Sequence, residues 1–285
     1  MADSLTGHLA APSSPVPELR FLRVHETIEP VAGIPDSQHV APDQLIKAVP
    51  LLADARPATL RRIAKAARII DVERGHALYG PGKSASGVYS IVLGRVKLAL
   101  VSCHHEERVI GLPGPGDIFG HVAAILRQPQ MLSAETLSPS KLIHVEPDVL
   151  SDALKRDADL ARRMLQALAA QFRDAVQALA HVGSGPERTI DFILERIPAD
   201  ARGSAAFNFP ARKRYIASLL NLTPEHFSRV LHELCAAQLV TIQGLKVCIL
   251  NVQQLKNHRE TLGCGATELR CNPRVRPSTY RKATG

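Results

Sequence analysis

Residues 211–250 read ARKRYIASLLNLTPEHFSRVLHELCAAQLVTIQGLKVCIL. Tyr215, Ile216, Leu219 and Leu220 mark the apolar face of a short helix, and Ala217 is small enough for close helix contact. Asn221 tolerates the left-handed conformation that a tight turn between helices requires. Thr223 is then an N-cap, and Pro224 suits the first helical position. The second helix buries Phe227, Val230, Leu231 and Leu234, which leaves Glu225, Ser228 and Arg229 together on its outward face at i, i+3, i+4. Two β-prone runs, Leu239 to Ile242 and Val247 to Leu250, flank Gln243-Gly244-Leu245-Lys246 and predict a hairpin. Helix, Asn turn, capped helix and hairpin together make a winged helix-turn-helix.

In such a unit the N-terminal end of the second helix enters the major groove of DNA. There an arginine can bond guanine through two hydrogen bonds, and a glutamate can accept from the amino group of cytosine. Lys246 in the hairpin is placed for phosphate. Glu225 and Arg229 are equally spaced for a solvated ion pair on an ordinary surface helix. The basic cluster Arg212, Lys213, Arg214 in the same contiguous stretch favours the DNA reading. So does the whole chain, whose 35 Lys and Arg against 27 Asp and Glu give a formal charge of +8 and suit a polyanionic partner.

Upstream, residues 151–184 form the next unit. From Ala158 to Val182 a heptad places Ala158, Leu165, Phe172 and Leu179 at a, with Ala161, Leu168, Ala175 and Val182 at d. A helix of that length needs a partner for its stripe, which is either its own domain or a second copy of the chain. The position of Arg162, Arg163, Gln171 and Arg173 off the seam favours a homodimer through Leu165, Leu168, Phe172 and Leu179. Gly183-Ser184-Gly185-Pro186 ends the helix. Residues 185–254 hold the DNA-binding unit.

Residues 41–150 have another character. Short runs such as GVYSIV, RVKLALV, RVIGL and KLIHV are bounded by Gly or Pro, which predicts a roll of short antiparallel strands after a helical start around Leu60, Ile63 and Ala67. The fold class is therefore α+β. Residues 1–40, with Pro12, Pro15, Pro17, Pro30 and Pro35, read as disordered. Residues 255–285 read as a basic disordered tail, with seven basic side chains against two acidic.

The stretch 41–254 resembles the CRP/FNR family of transcription regulators. GVYSIVLGRVKLAL and GPGDIFG match its roll, and LTPEHFSRVLHEL matches its recognition helix, with Glu225, Ser228 and Arg229 in the pattern of the FNR branch. The resemblance implies that these three read TTGAT-type inverted repeats. Beyond the resemblance, Arg212, Lys213, Thr223, His226 and Lys246 are taken as further candidates for DNA contact. The resemblance also implies RNA polymerase as a partner. The sensor departs from the members that bind cyclic AMP. Those carry Glu directly after the FG turn and an Arg-Ser pair about ten residues on, whereas this chain has His121 and then Gln130 and Met131. Without those groups a cyclic-AMP response is not expected. An iron–sulfur cluster is not expected either, because no cysteine precedes Cys103.

The resemblance that remains is to the nitric-oxide-responsive and haem-linked members. For haem, His104, His105, His121 and His144 are the ligand candidates, each also readable as a surface or hydrogen-bonded histidine. The effector stays unknown. Cys103, Cys235, Cys248, Cys264 and Cys271 are too spread for a disulfide framework or a zinc site, so no metal is expected. No enzyme motif (phosphate-binding Gly-rich loop, GxSxG, HExxH) is present. No apolar run approaches the roughly 18 residues of a membrane span, so the expectation is a cytoplasmic protein without a membrane partner. The other open reading is a ligand-binding signalling protein whose C-terminal domain docks onto protein.

Overall fold

The computed structural model describes residues 49–103, 106–180 and 183–268. The proline-rich start, His104, His105, Val182 and the end of the basic tail lie outside them. Helix α1 (Pro57–Ala66) begins on a proline that needs no helical N–H and turns Ile63 and Ala64 inward. Eight strands follow: β1 (Arg68–Val72), β2 (Ala77–Tyr79), β3 (Val88–Leu93), β4 (Val96–Val101), β5 (Glu107–Gly111), β6 (Ile118–Phe119), β7 (Ser133–Thr136) and β8 (Ser140–Val145). They form two four-stranded antiparallel sheets, ordered β1-β8-β3-β6 and β2-β7-β4-β5.

The strands alternate, and both of their faces are used. Along β3 and β8, Tyr89, Ile91 and Leu142 point between the sheets, where they join Tyr79, Val96, Phe119 and Ala134. The Tyr89 and Phe119 rings stack there at 5.1 Å. Val88, Ile143 and Val145 point the other way, into a second core made with Ile63 of α1, Leu150 and Ala153 of α3 (Pro147–Arg156), and Leu160, Met164 and Ala167 of α4 (Ala158–Ala180). The turn between β3 and β4 depends on Gly94, whose φ is 93° and where a Cβ would come within 2.2 Å of Ser140 Oγ. Asp157, buried at the junction of α3 and α4, accepts from the Leu160 and Arg56 backbone N–H groups at 3.1 and 2.9 Å and so caps α4.

The C-terminal domain consists of α5 (Gly185–Leu194), β9 (Ala205–Asn208), α6 (Lys213–Leu219), α7 (Pro224–Ala236), β10 (Val240–Gln243), β11 (Lys246–Ile249) and α8 (Val252–Glu268). Its core gathers Ile190, Phe207, Ile216, Phe227, Leu231 and Val247, and Val109 and Leu112 of the roll reach into it. Ser184 caps α5 in a capping box with Glu187.

Two expected boundaries are corrected. Residue 150 lies inside α3, which packs with α1 on the roll instead of opening the dimerisation segment. Residue 254 lies inside α8. Val252 and Leu255 are fully buried, and Arg259 makes a two-pronged contact with Asp191 at 2.8 and 2.9 Å and another with Glu187 at 3.2 Å. Residues 255–262 of α8 are thus docked on the domain, held by apolar burial and charge-assisted bonds, and are not a solvated tail. Truncation of Leu255 to Ala is expected to lower stability by about 2–5 kcal/mol in urea unfolding. A loss below about 0.5 kcal/mol would return the segment to a dispensable tail.

Candidate functional site

Helix α7 is built as its residues require. Asn221 has φ 55° and makes the turn after α6. Thr223 Oγ1 accepts from the His226 N–H at 3.2 Å, and Pro224 occupies the first turn of α7. Phe227, Val230, Leu231 and Leu234 are buried, which orients α7 and turns Glu225 and Arg229 to solvent with Ser228 half-exposed between them. The ion pair that the i, i+4 spacing allows does not form. Among the described residues neither Glu225 nor Arg229 has a side-chain partner, so both are free to bond something outside the chain.

The wing is a two-residue hairpin over Gly244 (φ 61°) and Leu245, shorter than the four-residue loop expected, because Gln243 and Lys246 pair directly. Lys246 stands exposed at its tip, backed by β9 as a third strand. Arg212 and Lys213 are exposed at the start of α6. Arg214 differs, giving Nη2 to the Tyr215 hydroxyl at 2.6 Å. His226 also differs: its ring lies against the start of α5, where a Cβ on Gly185 would approach Cε1 within 2.7 Å.

A second site lies inside the roll. A cavity of about 320 Å³ is lined by β4, β5, the turn before α2 (His121–Leu126), residues 128–132 and Gln171 of α4. Gly120 makes the turn at φ 78°, with space for no Cβ beside the Gly87 carbonyl. His121 Nε2 meets Gln171 Oε1 at 3.1 Å, tying α2 to α4. Burial holds the His121 ring below the usual imidazole range, against the smaller opposite effect of that bond. Asp117 is pushed up to about 7 by burial, although the Gly114 N–H and the Arg95 charge act against it. Asp117 and Gln171 were not legible as site residues, since only the fold brings 117 and 171 to one wall.

The strands lining this cavity also touch the DNA-binding domain. The Val109 N–H donates to Ser218 Oγ on α6 at 2.9 Å. Lys97, buried and paired with Glu107 at 2.5 Å and Glu135 at 2.8 Å, lies 5.3 Å from the Tyr215 ring centroid.

The cyclic nucleotide-binding domain family matches residues 69–157, and the Crp-like helix-turn-helix domain family matches residues 187–258. The chain is 21% identical over 218 residues to the CRP-like cAMP-activated global transcriptional regulator of Mycobacterium tuberculosis, covering 75% of this chain and 97% of that protein. It is 26% identical over 192 residues to the global nitrogen regulator of Synechococcus elongatus, covering 65% of this chain and 86% of that one. FixK2 from Bradyrhizobium japonicum shares the fold with a TM-score of 0.59 at 25% identity, over 67% of this chain and 96% of FixK2. The chain belongs to the CRP/FNR family. It is a DNA-binding transcription regulator with an effector-binding domain, and not an enzyme.

The cavity wall of this CRP/FNR regulator carries little charge. A cyclic nucleotide carries a phosphate anion that needs a cation when buried, and among the described residues lining the cavity there is no lysine or arginine. His121 and Gln130 are buried, and Met131 is exposed. These residues do not fit a cyclic nucleotide. Of the histidines considered for haem, His121 Nε2 is engaged with Gln171 and His144 Nε2 with the Ser86 carbonyl, each at 3.1 Å. His104 and His105 lie outside the described residues. Among the described residues no group of His, Cys, Asp and Glu is arranged to hold a metal ion. No helix among them is long and apolar enough to cross a membrane.

The side chains expected on the dimer seam differ in exposure. Leu165 and Phe172 are 68% and 73% exposed, and Ala169 and Val176 share their face. Leu168, expected on the seam, is half-buried against the roll, because α4 spends its 160/164/167 face on that core and 168 adjoins it. The side chain of Leu179 lies outside the described residues.

Replacement of Thr223 by Ala is expected to cost about 1 kcal/mol in urea unfolding, the loss of a cap. Glu225→Ala and Arg229→Ala should each stay within about 0.5 kcal/mol, since neither side chain holds the fold together. If the latter two cost as much as the cap, they are structural residues.

Proposed function

We propose that the chain acts in the cytoplasm as a homodimer on palindromic, TTGAT-like DNA sites, in response to an effector other than cyclic AMP. The observation that carries the reading is the pair Glu225 and Arg229, exposed and unpartnered on the capped N-terminal end of α7. With Ser228 between them they supply the acceptor and the forked donor that base edges in the major groove require. Thr223 sets the start of the helix, while Lys246, Arg212 and Lys213 stand exposed beside it for phosphate contacts that position without specifying. The exposed stripe at Leu165 and Phe172 supports pairing of two α4 helices, which places two reading helices about one helical turn, roughly 34 Å, apart on DNA. RNA polymerase is the further partner that family membership suggests. The relatives' names include both a cAMP-activated regulator and a nitrogen regulator, so membership leaves the effector open. The absence of a cation on the described cavity wall speaks against cyclic AMP.

Mobility shift against a TTGAT palindrome and scrambled DNA tests the reading. Arg229→Ala should weaken the specific site by about 1–3 kcal/mol and relax selectivity at its guanine. Lys246→Ala should weaken both DNAs alike and lower the salt slope by about 0.9 for each phosphate that is no longer neutralised. Equal weakening of specific and scrambled DNA by Arg229→Ala would remove α7 from the base-reading role.

The oligomeric state is tested separately. Phe172→Glu should leave the protein folded by circular dichroism yet monomeric by light scattering at micromolar concentration, with palindrome binding abolished. Leu168→Ala should instead act on stability, by about 2–5 kcal/mol at most, because that side chain packs on the roll. A Phe172→Glu dimer would place the interface elsewhere.

A further inference from the structure

The chain passes from α4 to the C-terminal domain through Gly183 and Ser184, and whatever holds Ser184 sets how that domain leaves α4. The Ser184 N–H and hydroxyl both donate to Glu187 Oε2, at 2.7 and 2.9 Å. Ser184 Oγ in turn accepts from the Glu187 N–H at 3.5 Å. The Glu187 side chain is only 8% exposed, so its carboxylate needs a balancing charge. That charge comes from α8. Arg259 donates Nη1 to the other oxygen, Glu187 Oε1, at 3.2 Å, while its Nε and Nη2 donate to the two oxygens of Asp191 at 2.8 and 2.9 Å. One guanidinium thus neutralises two carboxylates that stand a helical turn apart on α5 and would otherwise repel each other.

The same first turn of α5 supports α7. A Cβ on Gly185 would come within 2.7 Å of His226 Cε1 and 3.2 Å of Leu222 Cδ2, so α7 and the turn before it lie directly against the α5 backbone there. Arg188 Nη1 also reaches the Asn221 carbonyl at 3.5 Å. The stance of α7 is therefore tied to the start of α5, and Glu187 ties that start to the residue where the chain leaves α4.

We propose that Arg259 is a positioning residue for binding to paired DNA half-sites: by bracing Glu187 against Ser184 it fixes the angle at which α5, and α7 with it, leaves α4. This rests on the reading of the chain as a homodimer on palindromic DNA. A dimer gains from its second half-site only as far as the joint holds the second α7 in register, because a loose joint lowers the effective concentration of that helix at its site. A single half-site makes no such demand. Arg259 acts in this role through Glu187 and not by touching DNA.

The test is mobility shift of the full-length protein on three DNAs: a single TTGAT half-site, the palindrome, and the palindrome with its half-sites moved apart by about two base pairs. Arg259→Gln removes the charge and keeps a donor. It should weaken the palindrome by about tenfold, leave the single half-site within about twofold, and narrow the preference for the correct spacing. Arg259→Lys, which restores the charge without the fork, should recover part of that preference. The role is overturned if palindrome and half-site weaken together, which marks a residue that only stabilises the domain. It is equally overturned if the spacing preference survives unchanged in Arg259→Gln protein that is folded by circular dichroism. Should Arg259→Gln not fold, Ser184→Ala, which opens the same brace from its other end, decides by the same three affinities. Unaltered protein that binds the palindrome no tighter than one half-site overturns the palindrome reading and the proposal with it, whereas a palindrome preference equal in unaltered and substituted protein overturns only the role of Arg259.

Discussion

The two-way alternation of β3 and β8 is the constraint from which the rest is built. Tyr89, Ile91 and Leu142 fill the space between the sheets, while Val88, Ile143 and Val145 on the opposite face require a cover. That cover is α1, α3 and the first half of α4. Because the roll claims one face of α4 through Leu160, Met164 and Ala167, the face with Leu165 and Phe172 is left in solvent. A strand with a single buried face would have left α4 no fixed rotation, and neither the tie from His121 to Gln171 nor the exposed stripe would have a defined position.

The C-terminal half was the more legible in sequence, and for a local reason. Thr223, Pro224, Asn221 and the 227/230/231/234 spacing act within one or two helical turns, so their meaning does not depend on distant residues. The capping box of Ser184 and Glu187 was equally local and stood in the sequence as S-x-x-E, but the glycines beside it read only as a helix stop. Leu168 and Leu255 were misjudged because each depends on a tertiary partner. A heptad pattern cannot say which half of a stripe the same chain will cover, and a run of basic residues conceals one leucine that the core needs. The cavity was legible only as departures from the family, at His121, Gln130 and Met131. Its geometry draws on residues from 79 to 171, a separation no sequence window spans.

One hairpin serves two neighbours. Leu98, Leu100, Ile110 and Leu112 of the β4–β5 region line the cavity, while Val109 and Lys97 of the same region reach Ser218 and Tyr215 of α6. The contact with α6 is built from a hydrogen bond that the Val109 N–H donates to the Ser218 hydroxyl and a buried lysine whose charge is balanced by Glu107 and Glu135, so it has a defined geometry and is more than a loose apolar touch. Occupancy of the cavity and the stance of the helix-turn-helix therefore share a mechanical element. Thermodynamic linkage then works in both directions: a ligand that shifts the hairpin changes affinity for the operator by some factor, and operator bound to α7 changes affinity for that ligand by the same factor. In a cell the regulator molecules seated on their sites would thus form a population with its own effector threshold, distinct from that of the molecules free in solution.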